Sequence, residues 1–344
     1  MTEPVAMSAA PARAKGKSAR VIPIAVEGRT PPRALQRRRL LFQVGFFLLF
    51  ILAPVFDLFR YDLDAGHAWL LGFEWRLGLD DFLAGRIGAL EAGGNVLLRL
   101  FVPIFVGAGA FLYVAWRWGR LYCGWLCPHF SVVETINTLM LRASGKPSVW
   151  EKAPITPWLP AGGKRKPDAR WWGLVVPAAI AFAFTWAVVF LTYLLPPGEV
   201  YGNLIHGALT RNQTIFILAA TTVLSMEFLF ARHLFCRYAC AVGLFQSLAW
   251  MSNPKAMVVG FLRARASDCS TCLPEKQSAC DAVCPMRLTP RNIKRHMFTC
   301  TQCAQCVDAC GETQADNPDG PLLHWVSDEA ARQNEAGFRA GRER

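Results

Sequence analysis

The sequence predicts an α-helical integral membrane protein of about four transmembrane helices, followed by a small cysteine-rich α+β domain. Three observations support this class. The 344-residue chain is 53% hydrophobic and only 18% charged, which is too apolar for an ordinary soluble domain. Several apolar stretches are long enough to cross a bilayer. Twelve cysteines fall in four tight groups, which indicates metal or redox chemistry.

The apolar stretches are the candidate membrane spans. They run from Leu40 to Phe56, Val96 to Trp116, Trp172 to Leu195 and Thr214 to Ala231. Each approaches the roughly 20 apolar residues that a helix needs to cross the hydrocarbon core. The first stretch follows a basic tail without a small-residue cleavage site, so a retained anchor is expected and not a removed signal peptide.

The distribution of charge predicts the orientation. Lysine and arginine crowd the N-terminal tail and the loop after the second span, whereas residues 60–95 are rich in acidic side chains. The positive-inside rule therefore places both termini and all twelve thiols on the cytoplasmic side of a bacterial inner membrane. Because the net charge of +12 follows this topology, the bilayer is the expected partner and nucleic acid is not.

Composition divides the chain into four segments. Residues 1–39 are expected to be a disordered basic tail, 40–252 the transmembrane domain, 253–326 the cysteine-rich domain and 327–344 a charged flexible tail. The proline- and lysine-rich stretch 145–166 is predicted to link two helical hairpins in the cytoplasm. Each hairpin ends in a basic residue and a Cys-x3-Cys pair, so the halves are predicted to be a loose repeat.

Eight cysteines near the C-terminus follow the spacing of two interlocked ferredoxin motifs. The first is Cys-x2-Cys-x7-Cys-x3-Cys-Pro, and the second is Cys-x2-Cys-x2-Cys-x3-Cys. In the bacterial two-cluster pattern, the fourth cysteine of each motif binds the other cluster. This predicts a two-[4Fe-4S] ferredoxin-like domain in which Cys269, Cys272, Cys280 and Cys310 hold one cluster and Cys300, Cys303, Cys306 and Cys284 hold the other.

A pair of zinc sites is the alternative for these eight cysteines, since zinc also takes four thiolates and favours Cys-x2-Cys. Zinc does not account for three cysteines at x2-x2 spacing with a fourth four residues on, nor for Pro285 after Cys284. The long spacer from Leu273 to Ala279 in the first motif is expected to form a loop over the cluster.

Two further cysteine pairs lie at the predicted membrane edge. They are Cys123 and Cys127 in one half and Cys236 and Cys240 in the other. On a helix, a spacing of four residues puts both thiols on one face. Packing of the two hairpins would gather four thiolates suited to copper(I), zinc or another iron–sulfur centre, and these are the candidate catalytic residues. Packing cysteines at an interface are the alternative.

Four other side chains lie near these pairs in the sequence. A packing or interfacial role is the simpler interpretation for His129, Met226 and His233, although histidine and thioether ligands suit copper. Glu227 is the stronger candidate, because an acid within an apolar span is expensive and indicates a proton, ion or quinone path. A paired or snorkelling role near the membrane edge is its alternative.

These motifs resemble those of the membrane polyferredoxins of the cytochrome oxidase accessory class (CcoG, FixG and RdxA). The resemblance rests on Gly119 to Pro128 (GRLYCGWLCP), Cys236 to Gln246 (CRYACAVGLFQ) and the ferredoxin cysteines, and it covers about residues 40–325. The chain is also similar to NapH and NosR, the electron-transfer proteins of periplasmic nitrate reduction and nitrous-oxide respiration. It departs from the accessory class at Ala241, where that class has a proline. We therefore expect a shortened or divergent member that lacks the periplasmic immunoglobulin-like domain of the class.

The resemblance implies two cytoplasmic [4Fe-4S] clusters that exchange electrons with the membrane-edge cysteines, and reduction of Cu(II) to Cu(I) during respiratory oxidase assembly. The first hypothesis is therefore an electron-transfer protein, a possible metal reductase, that links a cytoplasmic donor to copper, a quinone or a respiratory enzyme under assembly. A copper-binding assembly factor or chaperone is the second. A NapH/NosR-like quinol-linked donor to a periplasmic reductase is a further alternative, and a redox sensor ranks last.

Overall fold

The computed structural model describes residues 34–151, 154–160, 162–232, 234–274 and 277–340. Most of the predicted basic tail, His233 and the last four residues therefore lie outside the described residues. The helices are α1 (Ala34–Leu52), α2 (Leu79–Leu83), α3 (Ala89–Val96), α4 (Val102–Trp118), α5 (Leu121–Trp125), α6 (Pro128–Ser144), α7 (Trp172–Thr192), α8 (Pro197–Ile205), α9 (Arg211–Met226), α10 (Ala241–Ser252), α11 (Ala279–Val283), α12 (Gln305–Thr313) and α13 (Asp328–Ala340). The strands are β1 (Phe59–Asp62), β2 (His67–Leu70), β3 (Phe73–Trp75), β4 (Val258–Phe261) and β5 (Leu323–Val326).

Three helical stretches among the described residues are long and apolar enough to cross a membrane. They are Ala89–Trp118, Ala169–Thr192 and Arg211–Ala231, and they overlap the second, third and fourth predicted spans. The first and third of these stretches include π-helical turns, at Leu97–Phe101 and Glu227–Ala231. Helix α1 is not among them, because its 19 residues include three arginines near the N-terminal end.

A small antiparallel sheet of β1, β2 and β3 lies at one end of the long helices. The Tyr61 N–H of this sheet donates to the carbonyl oxygen of Tyr193, just beyond α7, at 2.9 Å. Along α7, Val175, Ala179 and Ala183 are fully buried one turn apart. Small residues at such spacing let neighbouring helices approach closely, and α7 packs against both α6 and α9.

The cysteine-rich domain lies at the opposite end of the long helices. Strands β4 and β5 pair antiparallel, with Val258 opposite Val326, and α11 and α12 pack beside them. The sequence predicted a flexible tail from residue 327, but residues 328–340 form α13 against β4. Ala331 is fully buried there, and the Asn334 side chain accepts a hydrogen bond from the Phe261 N–H at 3.1 Å, so α13 is part of the domain.

The N-terminal boundary also differs from the prediction. Helix α1 begins at Ala34, so residues 34–39 of the expected disordered tail are helical.

The cysteine-rich domain packs directly on the loop between α4 and α6. Any Cβ at Gly124 would overlap the carbonyl oxygen of Thr301, so the two backbones touch. Beside this contact, the Trp125 indole N–H donates to the Gln302 carbonyl oxygen at 3.0 Å. From α10, the Ser247 hydroxyl donates to the Phe298 carbonyl oxygen at 2.7 Å. These contacts join the membrane-edge loop to the second ferredoxin motif.

The N-terminal end of α1 reinforces the same junction. The buried Arg39 guanidinium forms an ion pair with Glu134 of α6 and donates from Nε to the Gly124 carbonyl oxygen at 2.7 Å. One turn earlier, the Gln36 amide donates to the Cys303 carbonyl oxygen at 3.0 Å. The free-energy cost of removing an ion pair from water is offset only when its remaining hydrogen-bonding groups also find partners. Here the Gly124 carbonyl oxygen is such a partner for Arg39.

The predicted linker packs against the first ferredoxin motif. The Trp158 side chain packs against the buried cluster of Leu273, Ala279 and Ala309, and Lys164 Nζ lies 4.2 Å from the centre of its ring. A cation–π contact of this kind adds about 0.5–1 kcal/mol at an exposed site. The segment therefore covers one side of the motif in addition to joining the hairpins.

The Gly124 contact predicts a large effect of a side chain at that position. Gly124→Val forces the Thr301 backbone to move, and overpacking of this kind costs about 1–3 kcal/mol. The apparent melting temperature of the detergent-purified protein should fall clearly below that of wild type. Gly109→Val in α4 is the matched control, since a Cβ there meets no atom within 4 Å. Equal melting temperatures for the two variants would contradict the packing described here.

Candidate metal centres

The loop of the second ferredoxin motif curls around a cavity. Gln302 and Ala304 adopt the left-handed conformation, with φ of 53° and 59°. This conformation is uncommon for residues with a Cβ and persists only where the surroundings hold it. Here the fully buried Gln302 side chain donates to the Met257 carbonyl oxygen at 3.3 Å and accepts from the Trp325 indole at 3.1 Å. The loop shape is thus fixed by packing against the rest of the domain.

Two small cavities lie within the cysteine-rich domain. The thiols that line the inner cavity belong to Cys284, Cys300, Cys303 and Cys306. The thiols that line the outer cavity belong to Cys269, Cys272, Cys280 and Cys310. The structure thus brings together the same two sets of four that the crossed motif predicts. That each set binds a cluster stays a prediction.

Backbone N–H groups point at the sulfur atoms in both cavities. The Leu288 N–H donates to Cys284 Sγ at 3.4 Å in the inner cavity, and the Leu322 N–H donates to Cys310 Sγ at 3.3 Å in the outer one. Hydrogen bonds to sulfur favour the thiolate and tune the potential of iron–sulfur centres. Methionine and aliphatic side chains complete the inner cavity, among them Met286, Met297 and Val259.

Burial makes these thiols poor acids in the absence of a metal. It raises the pKa of Cys284 to about 11 and that of Cys300 to about 12. Metal ligation requires the thiolate, so the bound metal must supply the positive charge that displaces each proton. Four thiols around one cavity, with backbone donors directed at sulfur, suit a group of several metal atoms.

The geometry also bears on zinc. Among the described parts of the chain, no three Cys, His, Asp or Glu side chains converge on one point where a single ion could sit. A structural zinc ion needs its four ligands at about 2.0–2.3 Å. The four thiols of each set line one cavity, and their spacing in the sequence favours an iron–sulfur cluster, whose irons each take one thiolate, over zinc.

The membrane-edge pairs are not on continuous helices, contrary to the expectation of one helical face. Cys123 lies in α5, but Cys127 is extended, with ψ of 114°, and precedes α6. Pro128 explains this break, because proline disfavours helical geometry in the residue before it and is well accepted as the first residue of a helix. Cys236 lies in the π-helical turn Phe235–Ala239, and Cys240 is extended before α10, although alanine follows it.

The folding of the two halves nevertheless gathers both pairs. The Arg120 guanidinium donates to the Cys236 carbonyl oxygen at 2.9 Å and lies 3.8 Å from Cys123 Sγ. The Gln246 amide of α10 lies 3.3 Å from the same sulfur. The thiol of Cys123 is also close enough to those of Cys127 and Cys240 to interact electrostatically. The two predicted pairs therefore form one neighbourhood, which we call the membrane-edge thiols.

Helix α6 adds a feature that favours a thiolate at Cys127. The N–H groups of His129 and Phe130, in the first turn of α6, donate to its sulfur. Burial opposes this effect and raises the pKa of Cys127 to about 12. A cation bound at the membrane-edge thiols would offset the cost of ionising them. Sequence reasoning missed Arg120 and Gln246, although both lie within the two quoted motifs.

A partly buried His–Glu pair lies next to these thiols. His129 Nε2 lies 3.3 Å from Glu227 Oε1, where Arg211–Ala231 meets the cysteine-rich end of the molecule. The aromatic rings of Trp186, Phe228 and Phe235 surround the imidazole, with centroids 5.2–5.9 Å away. Glu227 is therefore paired, as one of its two interpretations expected. Met226 is 61% exposed and is not part of the site.

Comparisons with known proteins place an iron–sulfur domain at the membrane-edge pairs. The family described as a 4Fe-4S binding domain matches residues 99–147 and 212–256, and each segment contains one pair. The chain is 26% identical over 232 residues to the "Putative electron transport protein YccM" of Escherichia coli strain K12, covering 66% of this chain and 56% of that protein. It is 28% identical over 210 residues to the methylamine utilization ferredoxin-type protein MauN of Methylorubrum extorquens, covering 59% of this chain and 58% of that protein.

The chain thus spans somewhat more than half the length of these two relatives. No solved structure matches it. The family description and the names of the relatives support an iron–sulfur electron-transfer protein with membrane helices. They do not distinguish the cytochrome oxidase accessory class from related proteins.

The crossed ligand sets predict the iron content of paired variants. Two bound cubanes give about eight irons per chain. Cys284→Ala combined with Cys303→Ala removes two thiols of the inner cavity, so about four irons should remain. Cys284→Ala combined with Cys280→Ala removes one thiol from each cavity and should leave far fewer.

Iron and acid-labile sulfide are measured on anaerobically purified protein. The two double variants carry the same number of substitutions and share Cys284→Ala, so each controls for the other. The reverse order of iron contents would show that each motif binds its own cluster and that the crossed assignment is wrong.

Proposed function

We propose that this chain is a membrane-anchored electron-transfer protein of the bacterial inner membrane. In this proposal, electrons from a cytoplasmic donor pass through two [4Fe-4S] clusters in the C-terminal domain to the membrane-edge thiols. One observation carries it: Cys127 and Cys236 of the membrane edge pack in the same hydrophobic cluster as Cys284 and Cys300 of the inner cavity. The two cysteine systems are thus parts of one packed unit.

We propose α1 as a fourth membrane-spanning helix. Its large apolar side chains are exposed along most of its length, including Leu41, Leu48 and Leu49. Phe47 and Phe50 pack on α7, and the Phe50 carbonyl oxygen accepts from the Tyr193 hydroxyl at 2.8 Å near the sheet end. The opposite end of α1 carries the arginines and contacts the cysteine-rich domain. The positive-inside rule then puts that domain and both chain ends in the cytoplasm.

The residues around each cavity fit the proposed clusters. The thiols of the inner and outer cavities would hold them, and each cluster would supply one-electron transfer when bound. The protein's own part is to exclude water and to set the distance between each cluster and the membrane-edge thiols. The Cys300–Cys303 loop touches Gly124, the neighbour of Cys123, so the inner cavity and the membrane-edge thiols are separated only by packed protein.

Copper is the acceptor that the membrane-edge thiols favour by their chemistry. Thiolates are soft ligands that select Cu(I). One electron from the reduced protein would convert one bound Cu(II) to Cu(I), and the cytoplasmic donor would replace that electron. The resemblance to oxidase accessory proteins suggests that a respiratory enzyme under assembly receives the copper. A copper chaperone that is reduced once and not resupplied is the closest competitor.

The proposal predicts that Cys127→Ser and Cys240→Ser weaken Cu(I) binding by at least about tenfold, because each removes a soft ligand. Affinity is measured by competition with a Cu(I) chelator under anaerobic conditions. Met226→Leu is the control, since it removes an exposed thioether near the site and should leave affinity unchanged. Unchanged affinity and unchanged electron transfer in the cysteine variants would reduce the pairs to packing residues.

Turnover separates the reductase from the chaperone. Dithionite resupplies the electrons, and the rate without protein is subtracted because dithionite also reduces Cu(II) directly. Above that background, a reductase converts many equivalents of Cu(II) per chain, and a carrier stops after the first ion. In the same assay, Cys303→Ala should lower the rate to the background because the inner cluster is lost.

A quinol as electron donor is the second candidate, and the His129–Glu227 pair favours it. Quinol oxidation releases protons, and this partly buried pair beside Cys127 offers acceptors for them. Glu227 also opens a π-helical turn, a distortion that is frequent at functional sites. Under this alternative, Glu227→Gln would block reduction of the protein by a soluble quinol analogue while leaving reduction by dithionite intact.

A further inference from the structure

Arg120 is a buried cation between the membrane-edge thiols and the inner cavity. The residue is only 2% exposed. Its guanidinium reaches Cys123 Sγ and the Cys236 carbonyl oxygen, as described above. Cys236 in turn packs in the same hydrophobic cluster as Cys284 and Cys300 of the inner cavity, so one charged group lies beside both cysteine systems.

No acidic side chain in the described part of the chain balances the charge of Arg120. Within the described residues, Arg120 forms no ion pair with a carboxylate, and its Nε has no hydrogen-bond partner. Two other arginines near the inner cavity do form ion pairs with acids. Arg39 pairs with Glu134, and Arg287 pairs with Glu151 at 3.2 Å.

The outer cavity shows the contrast most clearly. Its arginine, Arg291, is paired with Asp281 at 2.7 Å. Arg291 also faces the Cys269 thiol, but the paired Asp281 carboxylate offsets its positive charge at the outer cavity. The positive charge of Arg120, beside the inner thiols, is not offset in this way.

The fold reserves space for the Arg120 guanidinium. A Cβ at Gly243 in α10 would overlap Arg120 Nη2, so α10 carries a glycine where it crosses this side chain. A buried and unpaired cation is costly unless an anionic group lies next to it. The cysteine sulfur atoms of the membrane edge and of the neighbouring inner cavity become the anionic groups near it when a metal is bound.

We infer that Arg120 raises the reduction potential of the inner cluster above that of the outer cluster, which draws electrons toward the membrane edge. The inference rests on the proposed function. Reduction adds one negative charge to a cluster, and a nearby buried cation stabilises that charge in a medium of low dielectric constant. Arg120 exerts this effect on the inner site, whereas Asp281 cancels the corresponding effect of Arg291 on the outer site.

The test is a redox titration followed by low-temperature EPR on the anaerobically purified, full-length protein. In Arg120→Gln, one of the two midpoint potentials should fall by at least about 59 mV, which is a tenfold shift in a one-electron equilibrium. The other potential should stay in place. Arg120→Lys keeps the charge and should recover most of the loss.

Asp281→Asn is the matched control at the other site. It leaves Arg291 unbalanced, so it should raise the potential that Arg120→Gln leaves in place. If Arg120→Gln fails to fold, Gly243→Ala serves as a second variant. It displaces the guanidinium from its position and should lower the same potential by a smaller amount.

The outcomes separate the two claims. Two unchanged potentials in Arg120→Gln and Gly243→Ala, with full iron content, would overturn the inference and leave the proposed function standing. Wild-type protein that binds no iron would reject the proposed function itself.

Discussion

The contact between the Gly124 backbone and the Thr301 carbonyl is the constraint on which the rest of the structure depends. Because no side chain separates them, the loop that carries Cys123 lies against the loop that carries Cys303. The hydrogen bonds from Trp125 and Arg39 fix the same junction from two sides. The cysteine-rich domain is therefore built onto the membrane helices, and both cysteine systems occupy one packed unit.

Electrostatics give this junction its chemical character. Burial raises the pKa values of the inner thiols, and it isolates the positive charge of Arg120 beside them. Each of these conditions is unfavourable alone, since a buried thiolate and a buried cation both lose hydration. They become complementary when a metal cluster with anionic sulfur ligands is bound. Cluster loading and folding should therefore be linked.

Much of the site could be predicted from the sequence, because cysteine spacing within a motif is a local property. The crossed spacing predicted the two sets of thiols that line the inner and outer cavities. Hydropathy found three of the helices able to cross a membrane. Features that arise from distant contacts were not predictable: the packing of Trp158 on the first motif, the burial of Ala331 in α13 and the reach of Arg120 to Cys236. The break at Cys127 was signalled by Pro128, and the same break at Cys240 had no such signal.

The most direct test of the central claim is low-temperature EPR of the reduced protein, freed of excess dithionite, before and after anaerobic addition of Cu(II), with iron and acid-labile sulfide measured on the same sample. The account predicts about eight irons and about eight sulfides per chain. It also predicts signals of reduced clusters that disappear as Cu(I) forms. Stoichiometric zinc without iron, or cluster signals that persist while copper stays oxidised, would contradict it.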